Sequence, residues 1–159
     1  MLTGKTRSGI TRNAMKKHAE TIIQAIRQGN KIICIGNGGS ATMASHFAGE
    51  LVGKYKYNRR ALPAISLFDL ASFTATANDF GYENVFVRQL EAFGNKGDIL
   101  LALSTSGKSK NVLKAIKWAE RHGLIVIDLE RKGRDTPQIQ ENQLKLLHKI
   151  AEEVEKAFI

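Results

Sequence analysis

The stretch Lys31 to Gly53, KIICIGNGGSATMASHFAGELVG, constrains this chain more than any other. Lys31 to Ile35 is a β-branched, apolar run suited to a buried strand. Gly36-Asn37-Gly38-Gly39-Ser40 then permits backbone geometries that a Cβ would obstruct. Ala41 to Leu51 reads as the helix that follows. Its first N–H groups have no intrahelical partner, so its start favours an anion such as a phosphate. Four residues separate His46 from Glu50, which puts an imidazole and a carboxylate on one helical face.

Two readings of this junction stand at this level. Gly36-x-Gly38-x-x-Ala41 after a strand satisfies the local form of a dinucleotide-binding turn, with Asp69 as a late candidate for its ribose-binding acid. The other reading is a sugar-phosphate site, which requires further polar groups elsewhere in the chain.

A second junction supplies such groups. Asp98 to Leu103 is apolar after its first residue, as expected of a strand buried on both faces of a parallel sheet. It runs into Ser104-Thr105-Ser106-Gly107-Lys108-Ser109, and a helix is expected over 111–121. One hydroxyl would serve as an N-cap; four of them beside a helix start suit the oxygens of a phosphate. Lys108 lacks the spacing of a Walker lysine.

Around these junctions, helices are expected over 11–28, 71–77, 83–93 and 137–158, and strands over 62–67 and 124–129, with Asn78-Asp79-Phe80-Gly81 as a turn. The alternation, without repeat or linker, predicts an α/β fold: a doubly wound, mainly parallel sheet flanked by helices, formed by one domain over 1–159. Met1 to Gly9 is expected to be loose. His18 is expected to be a surface residue. The chain has 159 residues, 43% hydrophobic and 25% charged, a soluble globular composition. No apolar run reaches the roughly 20 residues of a membrane span. The single Cys34 excludes an intrachain disulfide and fits a reducing cytoplasm. The net charge of +9 is dispersed, without compact basic runs or aromatic interleaving, which argues against nucleic acid as the partner.

Taken together, GNGGSATMASHFAGEL, ANDFGYENVF, GDILLALSTSGKSKNVLKAI and TPQIQENQLKLLH strongly resemble the sugar isomerase (SIS) domain family, and within it the phosphoheptose isomerases. The resemblance runs over about 30–158 in the family's order and displaces the dinucleotide reading. It implies a three-layer SIS sandwich and interconversion of sedoheptulose 7-phosphate with D-glycero-D-manno-heptose 7-phosphate, feeding heptose to lipopolysaccharide. It further implies that Asn37, Gly38, Gly39, Ser40, Asn78, Asp79, Ser104, Thr105, Ser106 and Ser109 hold the phosphosugar, together with Glu50 and Gln140. Glu50 and His148 are implied as the proton carriers. A zinc ion held by His46, Glu50, Gln140 and His148 is implied too, as is a homotetramer with sites at subunit boundaries.

The residue types suit that chemistry independently. Ketose–aldose interconversion removes a proton beside a carbonyl and returns it to the neighbouring carbon, a task for a carboxylate base and an imidazole. Taken alone, His46 and Glu50 are equally a surface pair, and His148 a satisfied core histidine. The chain departs from the family pattern between Leu129 and Thr136, where a helix and a strand are nearly absent: either a true deletion removes that helix and an edge strand, or a segment of the protein is left out of this sequence. The N-terminal helical region is short, and Gln138 stands where arginine is usual. The alternative is a non-catalytic SIS protein that binds a phosphosugar or, like some relatives, the replication initiator.

Overall fold

The computed structural model describes residues 12–159, so the expectation for Met1 to Gly9 lies outside the described residues. Four strands, β1 (Ile32–Ile35), β2 (Ala64–Ser66), β3 (Ile99–Ala102) and β4 (Ile125–Asp128), pair in parallel in the order β2-β1-β3-β4. Six helices accompany them: α1 (Arg12–Arg27), α2 (Gly39–Val52), α3 (Leu70–Phe80), α4 (Val85–Phe93), α5 (Lys110–Arg121) and α6 (Thr136–Lys156). A 3₁₀ turn, Tyr82–Asn84, joins α3 to α4.

The strand pattern explains the layering. Every residue of β1 and β3 is buried, because both strands are central and successive side chains point to opposite faces. On one face Ile32, Cys34, Ile99, Leu101 and Ile127 pack with Phe47 and Leu51 of α2, Ile22 of α1 and Leu147 of α6. On the other, Ile33, Ile35, Leu100 and Ala102 pack with Phe86 and Leu90 of α4 and Val112 of α5. The chain is thus doubly wound, with α1, α2 and α6 on one face and α3, α4 and α5 on the other. Burial raises the Cys34 thiol to about 12, consistent with a packing role.

Among the described residues the sheet stops at β4, as the short 130–136 segment predicts. Ile125 at this edge is 42% exposed, and the chain passes directly into α6. That helix starts cleanly: the Asp135 carboxylate accepts from the Gln138 N–H at 3.0 Å, and Pro137 occupies the first turn.

Two expectations are corrected. Asn78, Asp79 and Phe80 form the last turn of α3 rather than a separate turn, which begins only at Gly81, with φ +88. Asp69, the candidate ribose-binding acid, is the N-cap of α3, accepting from the Ser72 N–H at 2.8 Å and its hydroxyl at 2.6 Å. Those two hydrogen bonds hold its carboxyl below the usual carboxylate range. With this acid engaged in capping, the dinucleotide reading loses its second element.

Candidate active site

Strand order reverses between β1 and β3, and ligands of doubly wound sheets sit at that point, beyond the carboxyl ends of the strands. Here the two polar loops meet: the Leu103 N–H donates to Ile35 O at 3.0 Å, so the loop after β3 leaves the sheet beside the loop after β1. Gly36 must lack a side chain, since a Cβ would come 2.7 Å from the Ser40 main chain. Gly38, with φ +54, is the N-cap of α2. The helix therefore starts at Gly39, two residues earlier than the sequence suggests, and includes buried Ser40 in its first turn.

Across this switch point Asn37 and Asn111 exchange side-chain hydrogen bonds of 2.9 and 2.8 Å, and the Tyr82 hydroxyl donates to Asn37 Oδ1 at 3.0 Å. Together with Ser109 and Lys110 they line a cleft of about 290 Å³. In the serine loop, the Gly107 N–H donates to Ser104 Oγ at 3.1 Å and the Lys108 N–H to Ser106 Oγ at 3.1 Å, while Ser104 and Ser109 hydroxyls stand 3.5 Å apart. Arg131 lies over this loop, its Nε donating to Ser104 O at 2.8 Å. Thr105 is half-buried in the same loop.

The second group of side chains assembles where α6 packs on α2. His46 Nε2 lies 2.9 Å from Glu50 Oε1, His148 Nε2 lies 3.2 Å from that same oxygen, and the two imidazole nitrogens are 3.3 Å apart. Periodicity brings the first pair together; only helix packing adds the third residue, 102 positions away in the chain. Glu50 is largely shielded, its side chain 11% exposed, and its other oxygen, Oε2, is buried without a hydrogen-bond partner.

This arrangement fits a metal ion. The donor atoms lie within 4.8 Å of one another, and they are two imidazole nitrogens and a carboxylate oxygen. A tetrahedral centre with bonds of about 2.0–2.1 Å sets its ligand atoms roughly 3.3 Å apart. The observed separations of 2.9 to 3.3 Å match that spacing. The buried, unpartnered Glu50 oxygen is a second sign that a ligand completes the site.

Gln140, expected to serve both metal and substrate, lies at the start of α2: a Cβ on Gly39 would come 2.6 Å from its Nε2. It thereby joins the α6 side of the site to the glycine loop. Asn78 and Asp79 are linked by a 2.8 Å hydrogen bond, and Asp79 lines a different cleft, with Ser72, Phe80 and Arg88. No hydrogen bond or ion pair ties them to the triad or to the serine loop among the described residues. His18, expected at the surface, instead reaches Glu130 beyond β4 at 3.1 Å, and this hydrogen bond holds the Glu130 carboxyl below its usual range.

The SIS domain family model matches residues 7–130. This chain belongs to the SIS domain family. The phosphoheptose isomerase of Cytophaga hutchinsonii is 44% identical over 164 residues, covering 92% of this chain and 86% of that protein. That of Helicobacter pylori strain P12 is 42% identical, covering 91% of this chain and 84% of the relative. The first alignment is longer than the 159 residues of this chain, so it spans a gap in it, in keeping with the missing edge element. Among solved structures, the phosphoheptose isomerase of Francisella tularensis superposes with a TM-score of 0.87 at 30% identity, and that of Neisseria gonorrhoeae with 0.84 at 33%. Each covers 91% of this chain and is itself covered to 86%.

Sequence reasoning missed several residues that this SIS domain places at or behind the site: Asn111, Tyr82, Arg131, Tyr55, Arg59 and Glu155. Glu155 alone had a legible signal. It follows Leu147 and Ala151 at helical spacing, so a carboxylate on an apolar stripe announces a buried partner.

Proposed function

We propose that this chain is a phosphoheptose isomerase, a single SIS domain that interconverts sedoheptulose 7-phosphate and D-glycero-D-manno-heptose 7-phosphate through an enediol. The observation that carries the reading is the convergence of the His46 and His148 imidazoles on one oxygen of Glu50, in a chain whose relatives bear that name.

Each group has a task the chemistry requires. The serine loop, with Ser104, Thr105, Ser106 and Ser109 at the start of α5, supplies donors for the phosphate, and the Asn37–Ser40 turn supplies amides at the start of α2. Gln140, set against Gly39, is suited to a sugar hydroxyl. Glu50 removes the proton from the carbon beside the carbonyl and returns it to the neighbouring carbon. Its side chain is only 11% exposed, so the proton it carries is shielded from bulk water. His148, facing Glu50 from the other helix, moves the proton between the two oxygens. Asn78 and Asp79 would reach substrate only at the rim.

His46, Glu50 and His148 are the residues that would hold zinc, with Gln140 as the proposed fourth ligand. When bound, zinc supplies a Lewis acid for the oxygens of the reacting carbons. A homotetramer, a cytoplasmic location and a place in lipopolysaccharide precursor synthesis complete the proposal. In the described chain no helix is long and apolar enough to cross a membrane.

The test is turnover of sedoheptulose 7-phosphate by zinc-loaded protein, followed by NMR, beside Glu50→Gln and His148→Ala. Losing a general acid or base is expected to lower kcat by about 10²–10⁴-fold. Full activity in Glu50→Gln would sink the assignment of the proton carrier, and an intact, zinc-loaded wild type without turnover would point to the binding role instead.

A further inference from the structure

The segment between α2 and β2 is tied to the triad by a buried ion pair. The Arg59 and Glu155 side chains are both fully buried and lie 3.0 Å apart. The Arg59 guanidinium donates to Gly53 O at 2.7 Å, to Arg60 O at 3.1 Å and to Glu50 O at 2.7 Å. The Glu155 carboxylate accepts three consecutive main-chain N–H groups, from Tyr55 at 2.7 Å, Lys56 at 2.8 Å and Tyr57 at 3.1 Å. Removing two charges from water is costly, so a pair retained here calls for a role beyond closing a loop.

What the pair fixes suggests that role. One partner holds the main chain of Glu50, and the other sits about two helical turns beyond His148 on α6. Between them the Tyr55 main chain is clamped, and its ring stacks on the His148 imidazole with centroids 5.1 Å apart and planes 16° apart. His148 needs such a support. Its side chain is 32% exposed, and the terminal torsion of a histidine is a broad rotor that packing must restrict. The Tyr55 hydroxyl has no hydrogen-bond partner among the described residues, so the contact is made by the ring face.

We propose that Tyr55 is a positioning residue for His148: held by the Arg59–Glu155 pair, its ring fixes the imidazole plane so that Nε2 stays aimed at Glu50 and at whatever the triad binds. Small displacements of a reacting group are costly, about 10²-fold for 1 Å, and partners that orient a metal-binding histidine contribute about 10–100-fold in affinity or activity. The rate arm of the test rests on the isomerase reading; the other two arms do not.

The variants are Tyr55→Leu, which removes the ring, and Tyr55→Phe, which keeps it; Tyr55→Met replaces the first should it not fold. In metal-free protein, Tyr55→Leu is expected to move the His148 ring-proton resonances downfield through loss of the neighbouring ring current, while Tyr55→Phe leaves them in place. In chelator competition, zinc affinity is expected to fall about tenfold in Tyr55→Leu and to hold in Tyr55→Phe. With sedoheptulose 7-phosphate, Tyr55→Leu is expected to lower kcat about 10–100-fold with KM within about twofold, again with Tyr55→Phe near wild type. Wild-type zinc affinity and kcat in Tyr55→Leu would overturn the proposal, as would a Tyr55→Phe variant as impaired as Tyr55→Leu. A wild type inactive on every ketose phosphate would overturn the isomerase reading, and the resonance and zinc arms would still decide the role of Tyr55.

Discussion

Replacing Glu155 with glutamine changes only one oxygen into an NH₂ group, yet the structure predicts a large loss of stability. One carboxylate oxygen of Glu155 serves the Tyr55 N–H and the Arg59 guanidinium, and the other serves the Lys56 and Tyr57 N–H groups. A glutamine offers one acceptor oxygen, so its NH₂ must face donors whichever way it turns. Buried donors left without acceptors cost about 1–3 kcal/mol each, and breaking a buried pair from one side costs about 3–5 kcal/mol. For a chain of this size that corresponds to a Tm lower by roughly 6–20 °C. Urea unfolding of wild type, Glu155→Gln, Arg59→Met and the double variant Arg59→Met/Glu155→Leu measures it. The double variant strands no charge, so its loss is expected to fall short of the sum of the single losses by about 1–3 kcal/mol. A Glu155→Gln loss below about 1 kcal/mol, in the range of ordinary surface substitutions, would refute the reasoning.

Two further outcomes follow from the same geometry. Gly39→Ala directs a methyl at the flexible end of Gln140, 2.6 Å from its Nε2, without touching main chain; we expect stability within about 1 kcal/mol of wild type but a KM raised about tenfold, and no further rise when Gln140→Ala is added. Acid sensitivity has a definite sign. The His18 hydrogen bond is the main cause holding Glu130 below its ordinary value of 4.5, and at Glu155 the three N–H donors and Arg59 outweigh the upward push of burial. A carboxyl with a lowered folded-state value stabilises above its unfolded value, and that contribution disappears as pH falls through the folded one. Tm is therefore expected to hold from pH 7 to 5 and to fall below 4.5, less steeply in Glu130→Gln; equal slopes would remove Glu130 from the account.

Much of this protein was legible as sequence because its signals are local. Residues 32–35 and 99–102 are apolar on both faces, which demands a covered parallel sheet, and the glycine and serine runs after them mark the ligand end of that sheet. The i, i+4 placement of His46 and Glu50 needs only a helix. The missing edge element was visible too, as too little chain between β4 and α6. Helix ends were less legible: α3 absorbs Asn78 to Phe80 because Gly81, with its positive φ, is the residue that stops it.

Tertiary structure alone decided which polar groups meet. His148 joins His46 and Glu50 because apolar stripes dock α6 on α2, and no local pattern states which turn of one helix opposes which turn of the other. The same docking buries Glu155 against Arg59 and lays Tyr55 on His148. Residues 53–60, without periodicity of their own, are held by the Arg59–Glu155 pair: the carboxylate takes the N–H groups of 55–57 and the guanidinium the carbonyls of Gly53 and Arg60. Sequence specified the strands, the glycine and serine loops after them and two of the three triad residues, since these depend on neighbours within a turn or two; the rest depends on contacts between residues about a hundred positions apart, which only packing sets.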